Sequence, residues 1–321
     1  MLGNHLSKPQ PLLKEVDKAA RPFLKWVGGK GQLIGSLDSH LPSELKRGEL
    51  TTYVEPFVGG GAVFFHIAQR YNVNRFVLSD YNSDLVLSYW VVRENVDRLI
   101  KSLFQLQSKY LKLSEEKRER FYYKIRGDFN SVKVDTSCFS EAWILRATQL
   151  IFLNKTCFNG LFRVNSAGGF NVAFGRYENP KICDPDNLIL VSHLLQHAEI
   201  YLCDFEDVLH IIDERCFVYL DPPYRPISAT SNFTGYSATN FTALDQHRLS
   251  VFCQRADASG AKILMSNSDP ANIDPDDRFF HDFYPTFHIE RTSANRMVNC
   301  RADKRGKITE LLVMNYRNGI K

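Results

Sequence analysis

The segment YLDPPYRP, residues 219 to 226, runs an apolar strand into a carboxylate, two prolines and an aromatic ring. An ionised carboxylate accepts hydrogen bonds, and proline keeps its C=O while lacking an N–H. Each proline also forces the residue before it toward an extended conformation. Asp221 and Pro222 therefore leave the strand stiffly, and Tyr224 stands at a set distance beyond them. Two acceptors aimed at one NH₂ group hold its nitrogen and favour lone-pair character there, while a tyrosine ring can stack on a planar partner. Asp221, Pro222, Pro223 and Tyr224 are the candidate catalytic group, and the chemistry they suit is reaction at an exocyclic amine of a nucleobase.

Such an amine needs a partner, and a second constellation offers a place for one. VEPFVGGGAVFF (54–65) reads as a strand leading through Pro56 and Phe57 to Gly59, Gly60 and Gly61, then into an apolar helix start. Glycines allow a tight turn and a close backbone approach to a ligand. The loop lacks the lysine of a phosphate-binding GxxxxGK[ST] pattern, and Glu55 is expected to repel an anion. A cationic or neutral nucleoside fits better. Asp80, about 20 residues beyond the glycines, stands at the offset where dinucleotide folds place an acid on ribose hydroxyls. A third stretch, FLKWVGGKGQL (23–33), sets an aromatic and two lysines beside a Gly-Gly turn, which by itself reads as a surface turn.

The elements that must position these residues follow from apolar runs ending in polar or acidic residues: YVEPF (53–57), RFVLSD (75–80), EIYLCD (199–204), FVYLD (217–221) and KILMSN (262–267). Helical spacing separates them at 84–111, 140–153 and 242–259, the last opening on Thr242 and Asp245 as in a capping box and stopping at Gly260. Strands alternating with helices predict an α/β fold with a mostly parallel sheet, and such sheets bind ligands beyond the carboxyl ends of their strands. Glu55, Asp80, Asp204 and Asp221 all fall there. Between 112 and 198 the pattern changes to a charged, then helical, then Asn-, Gly- and aromatic-rich stretch, which reads as an insertion between two halves of the sheet.

Composition narrows the partners. The 321 residues are 44% hydrophobic and 24% charged, ordinary for a globular chain of one large or two linked domains. No run approaches the ~18 apolar residues of a membrane span, and residues 1–21 read as a polar N-terminal extension without a secretory core. The seven scattered cysteines form no CxxC or Cys/His ligand pattern, so a reducing cytoplasm is expected and a metal site is not. The net charge is only +4, yet Arg291 to Lys307 holds six basic residues against one acid. A second basic stretch runs from Lys155 to Lys181. Basic patches on a near-neutral body point to a polyanion.

DPPY, VEPFVGGG and FLKWVGGK, together with NGLFRVNSAGGFNVAFGRY (159–177), SATSNFTGY (228–236) and RGKITELLVMNY (305–316), resemble the DNA adenine-N6 methyltransferases of the Dam type. The resemblance covers roughly residues 22–316. It implies a Rossmann-like S-adenosylmethionine-dependent sheet, residues 22–111 and 199–321, interrupted by a mostly helical target-recognition domain, residues 112–198, that carries a β-hairpin. It implies direct transfer of a methyl group to the amine of an adenine flipped from duplex DNA, commonly within GATC, by a cytoplasmic enzyme acting as a monomer on DNA. A companion restriction endonuclease is left open. By the same resemblance Trp26, Lys30, Asp80 and Asp221 bind the cofactor, Glu55, Phe57, Gly59 and Gly61 line its loop, and Asp204 meets its adenine edge. In the hairpin, turning at Ala167-Gly168-Gly169, Arg163 contacts a guanine and Phe158 inserts near the target pair, with Asn159 and Leu161 beside it. Lys25 and Tyr177 read the outer guanine, and Arg291, Arg296, Lys304 and Arg305 meet phosphates. Ala173 stands where some relatives have proline, and Phe158 where some have tyrosine.

Three other readings compete. Cytosine-N4 methyltransferases usually carry serine where this chain has Asp221. A DNA-binding relative without turnover would not need an intact DPPY. RNA or protein methyltransferases have no use for the hairpin.

Overall fold

The computed structural model describes residues 19–26, 28–225, 241–295 and 307–317. Among them, seven strands form one sheet: β1 (Thr52–Glu55), β2 (Arg75–Asp80), β3 (Ala198–Leu202), β4 (Cys216–Leu220), β5 (Lys262–Ser268), β6 (His288–Asn295) and β7 (Lys307–Met314), in the order β3-β2-β1-β4-β5-β7-β6. The first five pair in parallel, and β7 lies antiparallel between β5 and β6. The five apolar runs read from the sequence become the five parallel strands. β4, CFVYL, is buried at every position, as expected of a central parallel strand covered on both faces. The reversal of strand order between β1 and β4 places the carboxyl ends of both at the crevice where such folds bind ligands.

The helices follow in chain order: α1 (Ile34–His40), α2 (Ser43–Lys46), α3 (Ala62–Arg70), α4 (Ser83–Glu94), α5 (Val96–Leu111), α6 (Glu115–Ser131), α7 (Glu141–Thr156), α8 (Pro185–Leu195), α9 (Ala243–Ala258) and α10 (Phe279–Phe283). The stretch 84–111, which reads as one helix, is two, because Asn95 leaves the helical region at φ −139° and ends α4 while starting α5. α9 begins with the expected reciprocal capping of Thr242 and Asp245. Gly260 takes φ +87° just beyond it, a left-handed conformation that favours glycine. None of the helices among the described residues is long and apolar enough to cross a membrane.

One apolar core runs from β1, β2 and α3 through α4 and α5 into α6, α7 and α8. The helices of the 112–198 stretch therefore share their core with the sheet's helical layer. α7 is the centre of this layer, buried along most of its length. Arg146 ties it to α4: Nε and Nη2 meet the Asp84 carboxylate at 2.7 and 2.9 Å, Nη1 reaches the carbonyls of Phe129 and Val132, and the guanidinium lies over the Phe129 ring.

The hairpin expected at 155–177 forms, but as two isolated bridges, Cys157 with Phe174 and Val164 with Phe170, rather than a continuous ladder. α6 supplies the missing partners. Tyr122 Oη and Arg126 Nη1 donate to the Val172 carbonyl, and the Asn130 amide exchanges bonds with both backbone groups of Phe170. The turn forms where expected, with Gly168 at φ +78°. Asn165 closes it by accepting from the backbone N–H of Ala167 and of Gly169.

Candidate active site

Glu55 and Asp80 are the last residues of β1 and β2, Asp221 follows β4 directly, and Asp204 lies two residues past β3. All four line one cavity of about 1250 Å³, which runs from the glycine loop to the DPPY segment. Ligand sites usually measure about 300–1,000 Å³, so this one has room for more than one small molecule.

The Asp221 carboxylate lines the DPPY end of this cavity. Lys30 Nζ lies 3.0 Å from Oδ1, and Ser266 Oγ donates to the same oxygen at 3.0 Å. Among the described residues neither Oδ2 nor the Pro222 carbonyl has a hydrogen-bond partner. By contrast, the Pro223 carbonyl accepts from Gln246. Burial raises the Asp221 carboxyl above the ordinary aspartate range, against the pull of Lys30 and Ser266. Tyr224 packs beside it. Lys30 Nζ sits 4.3 Å from the ring centroid and bonds the phenol oxygen, and the phenol donates to Glu310 Oε2 at 2.6 Å. Lys30 is only 5% exposed, a buried cation held between carboxylates.

The glycine loop is shaped by its protein neighbours. Gly59 has φ +48°, and a Cβ there would come within 2.9 Å of the Trp26 indole. A Cβ on Gly61 (φ +71°) would meet Tyr89 Oη at 2.6 Å. Trp26 in turn stacks on Phe162 of the hairpin, with centroids 4.8 Å apart, so one indole contacts both loop and hairpin. Asp80 accepts from the backbone N–H of Gly59 (3.1 Å) and of Asn82 (2.9 Å), yet burial still pushes its carboxyl up to about 6.

Glu55 departs from expectation. It is 2% exposed and takes a bond from Tyr53 Oη, and burial, with the charge of Asp221, pushes its carboxyl well above the usual range. Burial that favours the neutral acid weakens its repulsion of an anion, so the charge argument made from the sequence loses force at this position.

Sequence reasoning did not single out several partners at the cavity wall. Phe57 stacks on Phe205 at 5.3 Å, and Phe241 meets Phe57 edge-on at 6.0 Å, forming an apolar slot beside Asp204. Arg248 Nη2 holds the Asp204 carboxylate at 2.7 Å. Its three-residue spacing from the helix-capping Asp245 was the available sequence signal. Ser266 and Glu310 had none by type or spacing.

The hairpin residues stand apart from the cavity floor. Phe158 is 55% exposed, Asn159 is exposed with φ +56°, and Leu161 is half-buried. Arg163 projects outward and is steadied by Asn171, whose side-chain oxygen accepts from Nε at 2.8 Å. Lys25 is clamped to α7 through reciprocal bonds of its backbone with the Asn154 side chain, and its ammonium lies 5.5 Å from the Tyr177 ring. Arg291 is less free than expected: its Nε bonds the buried Asp269 at 2.8 Å, which makes it a tether between β6 and the end of β5 as well as a half-exposed cation. Arg296, Lys304, Arg305 and the loop 226–240 lie outside the described residues.

A model of the D12 class N6 adenine-specific DNA methyltransferases matches residues 26–298. The chain belongs to this family. The enzyme is 50% identical over 297 residues to a type II methyltransferase, M.MjaIII, of Methanocaldococcus jannaschii, with 92% of this chain and 99% of that protein covered. It is 34% identical to the type II methyltransferase M1.LlaDCHI of Lactococcus lactis, covering 93% and 96%. It is 32% identical to a DNA adenine methylase of Escherichia coli K12, covering 94% and 98%. The enzyme thus methylates adenine N6 in DNA with S-adenosylmethionine as donor, which sets aside the cytosine-N4 reading. Its cavity suits that cofactor: aromatic walls and carboxylates at both ends favour a cation bearing a nucleoside.

Proposed function

We propose that the enzyme methylates adenine within GATC in duplex DNA, acting as a cytoplasmic monomer on a base extruded into the cavity, and that residues 112–198 carry target recognition. The observation that carries this reading is the one cavity joining Asp221 Oδ2 and the Pro222 carbonyl, both without a hydrogen-bond partner among the described residues, to the glycine loop. Phe57, Gly59, Gly61, Asp80 and Asp204, with Trp26, Lys30 and Glu55 behind them, would hold S-adenosylmethionine, which supplies an electrophilic methyl group on a sulfonium. Asp221 and Pro222 accept the two N6–H bonds of adenine and direct the nitrogen lone pair into the cavity. Tyr224 offers a ring face to the base while Lys30 holds its hydroxyl end. No residue need become covalently modified. Mapping modified adenines in DNA from cells expressing the chain tests the target: GATC alone is expected, and a different modified motif overturns it.

Arg163 and its neighbours support GATC through their match to the family hairpin. Arg163→Ala is expected to cut discrimination between cognate and single-mismatch sites by about 10- to 100-fold, since one bidentate arginine–guanine pair contributes about 1–3 kcal/mol. Affinity for random duplex should change little. Competition binding reads both, and equal losses would assign Arg163 to the phosphate backbone.

Asp80 gives a pH signature. Ribose hydroxyls donate to its ionised form, so bound cofactor favours the carboxylate over the acid whose free-state value lies at about 6. Cofactor affinity is therefore expected to fall as pH drops from 7 toward 5, by at most about tenfold per pH unit. The cofactor's own amino group, near 8, stays protonated throughout this window. Calorimetric titration measures it. A flat profile, or one unchanged in Asp80→Asn, removes Asp80 from cofactor binding.

A further inference from the structure

The cluster around Lys30 holds one group, Glu310, that sits within the 305–316 stretch but beyond the matched residues 26–298 and has no role assigned so far. Glu310 lies on β7, across from Ser268 of β5 and Thr292 of β6, at the end of the sheet where Asp221 leaves β4. Its Oε2 accepts the Tyr224 phenol at 2.6 Å and stands 3.8 Å from Lys30 Nζ. Lys30 in turn meets Asp221 Oδ1 at 3.0 Å. A cation this deeply buried needs paired charge. Had Asp221 been its sole counter-ion, the ammonium would be drawn across both carboxylate oxygens. With Glu310 Oε2 as a second counter-ion, the Asp221 oxygen nearest the ammonium is Oδ1, which Ser266 also bonds, and among the described residues no donor hydrogen-bonds Oδ2.

We propose that Glu310 is a positioning residue for methyl transfer: by accepting the Tyr224 hydroxyl and sharing the Lys30 ammonium with Asp221, it fixes the ring on which the target base stacks and keeps one Asp221 oxygen free for the amine. The proposal rests on the reading that Asp221 and Tyr224 meet the target adenine. Glu310 touches neither base nor cofactor; it acts through Tyr224 and Lys30. A purely structural counter-ion for Lys30 would affect folding and leave turnover per folded molecule alone.

A double-mutant cycle on the full chain separates these roles. Single-turnover methyl transfer to duplex DNA is measured for Glu310→Ala, Glu310→Gln, Tyr224→Phe and the Tyr224→Phe/Glu310→Ala pair, with KM for DNA and cofactor alongside. Loss of a charge-assisted hydrogen bond predicts that Glu310→Ala lowers kcat by about 10- to 100-fold. KM should move less than about threefold, and Glu310→Gln, which retains an acceptor for the phenol, should recover part of the loss. The double variant should fall no further than the worse single variant, because the two groups form one unit. Losses that multiply, or a Glu310→Ala enzyme with kcat within twofold of wild type, overturn the proposal. Asp221→Ala is assayed in parallel: if it retains turnover, the reading of the site fails, whereas an inactive Asp221→Ala with multiplying losses in the cycle removes Glu310 alone.

Discussion

Asp221→Ala is expected to lower the rate of methyl transfer by about 10³-fold, the scale seen when one preorganised electrostatic contact to a reacting group is removed. The amine of adenine is a poor nucleophile because its lone pair is delocalised into the ring. Two acceptors on its hydrogens oppose that delocalisation, and Asp221 Oδ2 and the Pro222 carbonyl are the two at the end of this cavity without partners among the described residues. Removing the carboxylate leaves one neutral carbonyl. The fold should survive, because Lys30 keeps Glu310 3.8 Å away as a counter-ion. Asp221→Asn should lose nearly as much, since its NH₂ presents donors to a substrate group that is itself a donor. Duplex binding, read by fluorescence anisotropy, should stay within about threefold, because phosphate contacts dominate affinity. Near-normal single-turnover rates in Asp221→Ala would remove Asp221 from the chemistry.

The residues that carry this argument were legible because their types announce the chemistry. A strand that ends in Asp-Pro-Pro-Tyr has few structural excuses, and buried parallel strands read as unbroken apolar runs, so β1 to β5 and the acids at their ends could be placed from the sequence. What escaped has a common cause. β6, HIERTSAN, is a polar-patterned edge strand whose existence depends on pairing with β7, and neither has a local signature. α6 shows mainly charge, and its buried positions, Tyr122 and Phe129, become meaningful only once the hairpin is packed on them. Glu310, Ser266, Arg248 and Asn171 are partners of recognisable residues. The first three are joined to Tyr224, Asp221 and Asp204 across separations of 86, 45 and 44 residues, which no short motif spans, while Asn171 lies only 8 residues from Arg163 but carries no type signal for the bond it makes. Glu55 shows the converse: its type was legible, but its protonation depends on burial that the sequence does not display.

The same long-range logic makes Arg146 a residue on which the 112–198 stretch depends for stability. Its side chain is 10% exposed and its bidentate partner Asp84 23% exposed, in the first turn of the helix that follows Asp80. Truncating one member of such a pair strands the other, and here it also removes the donors to the Phe129 and Val132 carbonyls at the end of α6. Arg146→Met is therefore expected to cost about 3 kcal/mol, the low end for breaking a buried pair because Asp84 keeps some solvent. The apparent melting midpoint should fall on the order of 5 °C. Arg146→Met/Asp84→Leu should regain a substantial part, since an apolar pair of similar volume carries no stranded charge. Thermal denaturation followed by circular dichroism checks both. Because α6 supplies the hydrogen bonds that replace the hairpin's missing ladder, Arg146→Met should also loosen Arg163 and lower site discrimination before it lowers turnover on a cognate site. A variant that keeps its melting midpoint would show that α7 is held to α4 by its apolar face alone, and the charge pair would then be incidental to how the hairpin is carried.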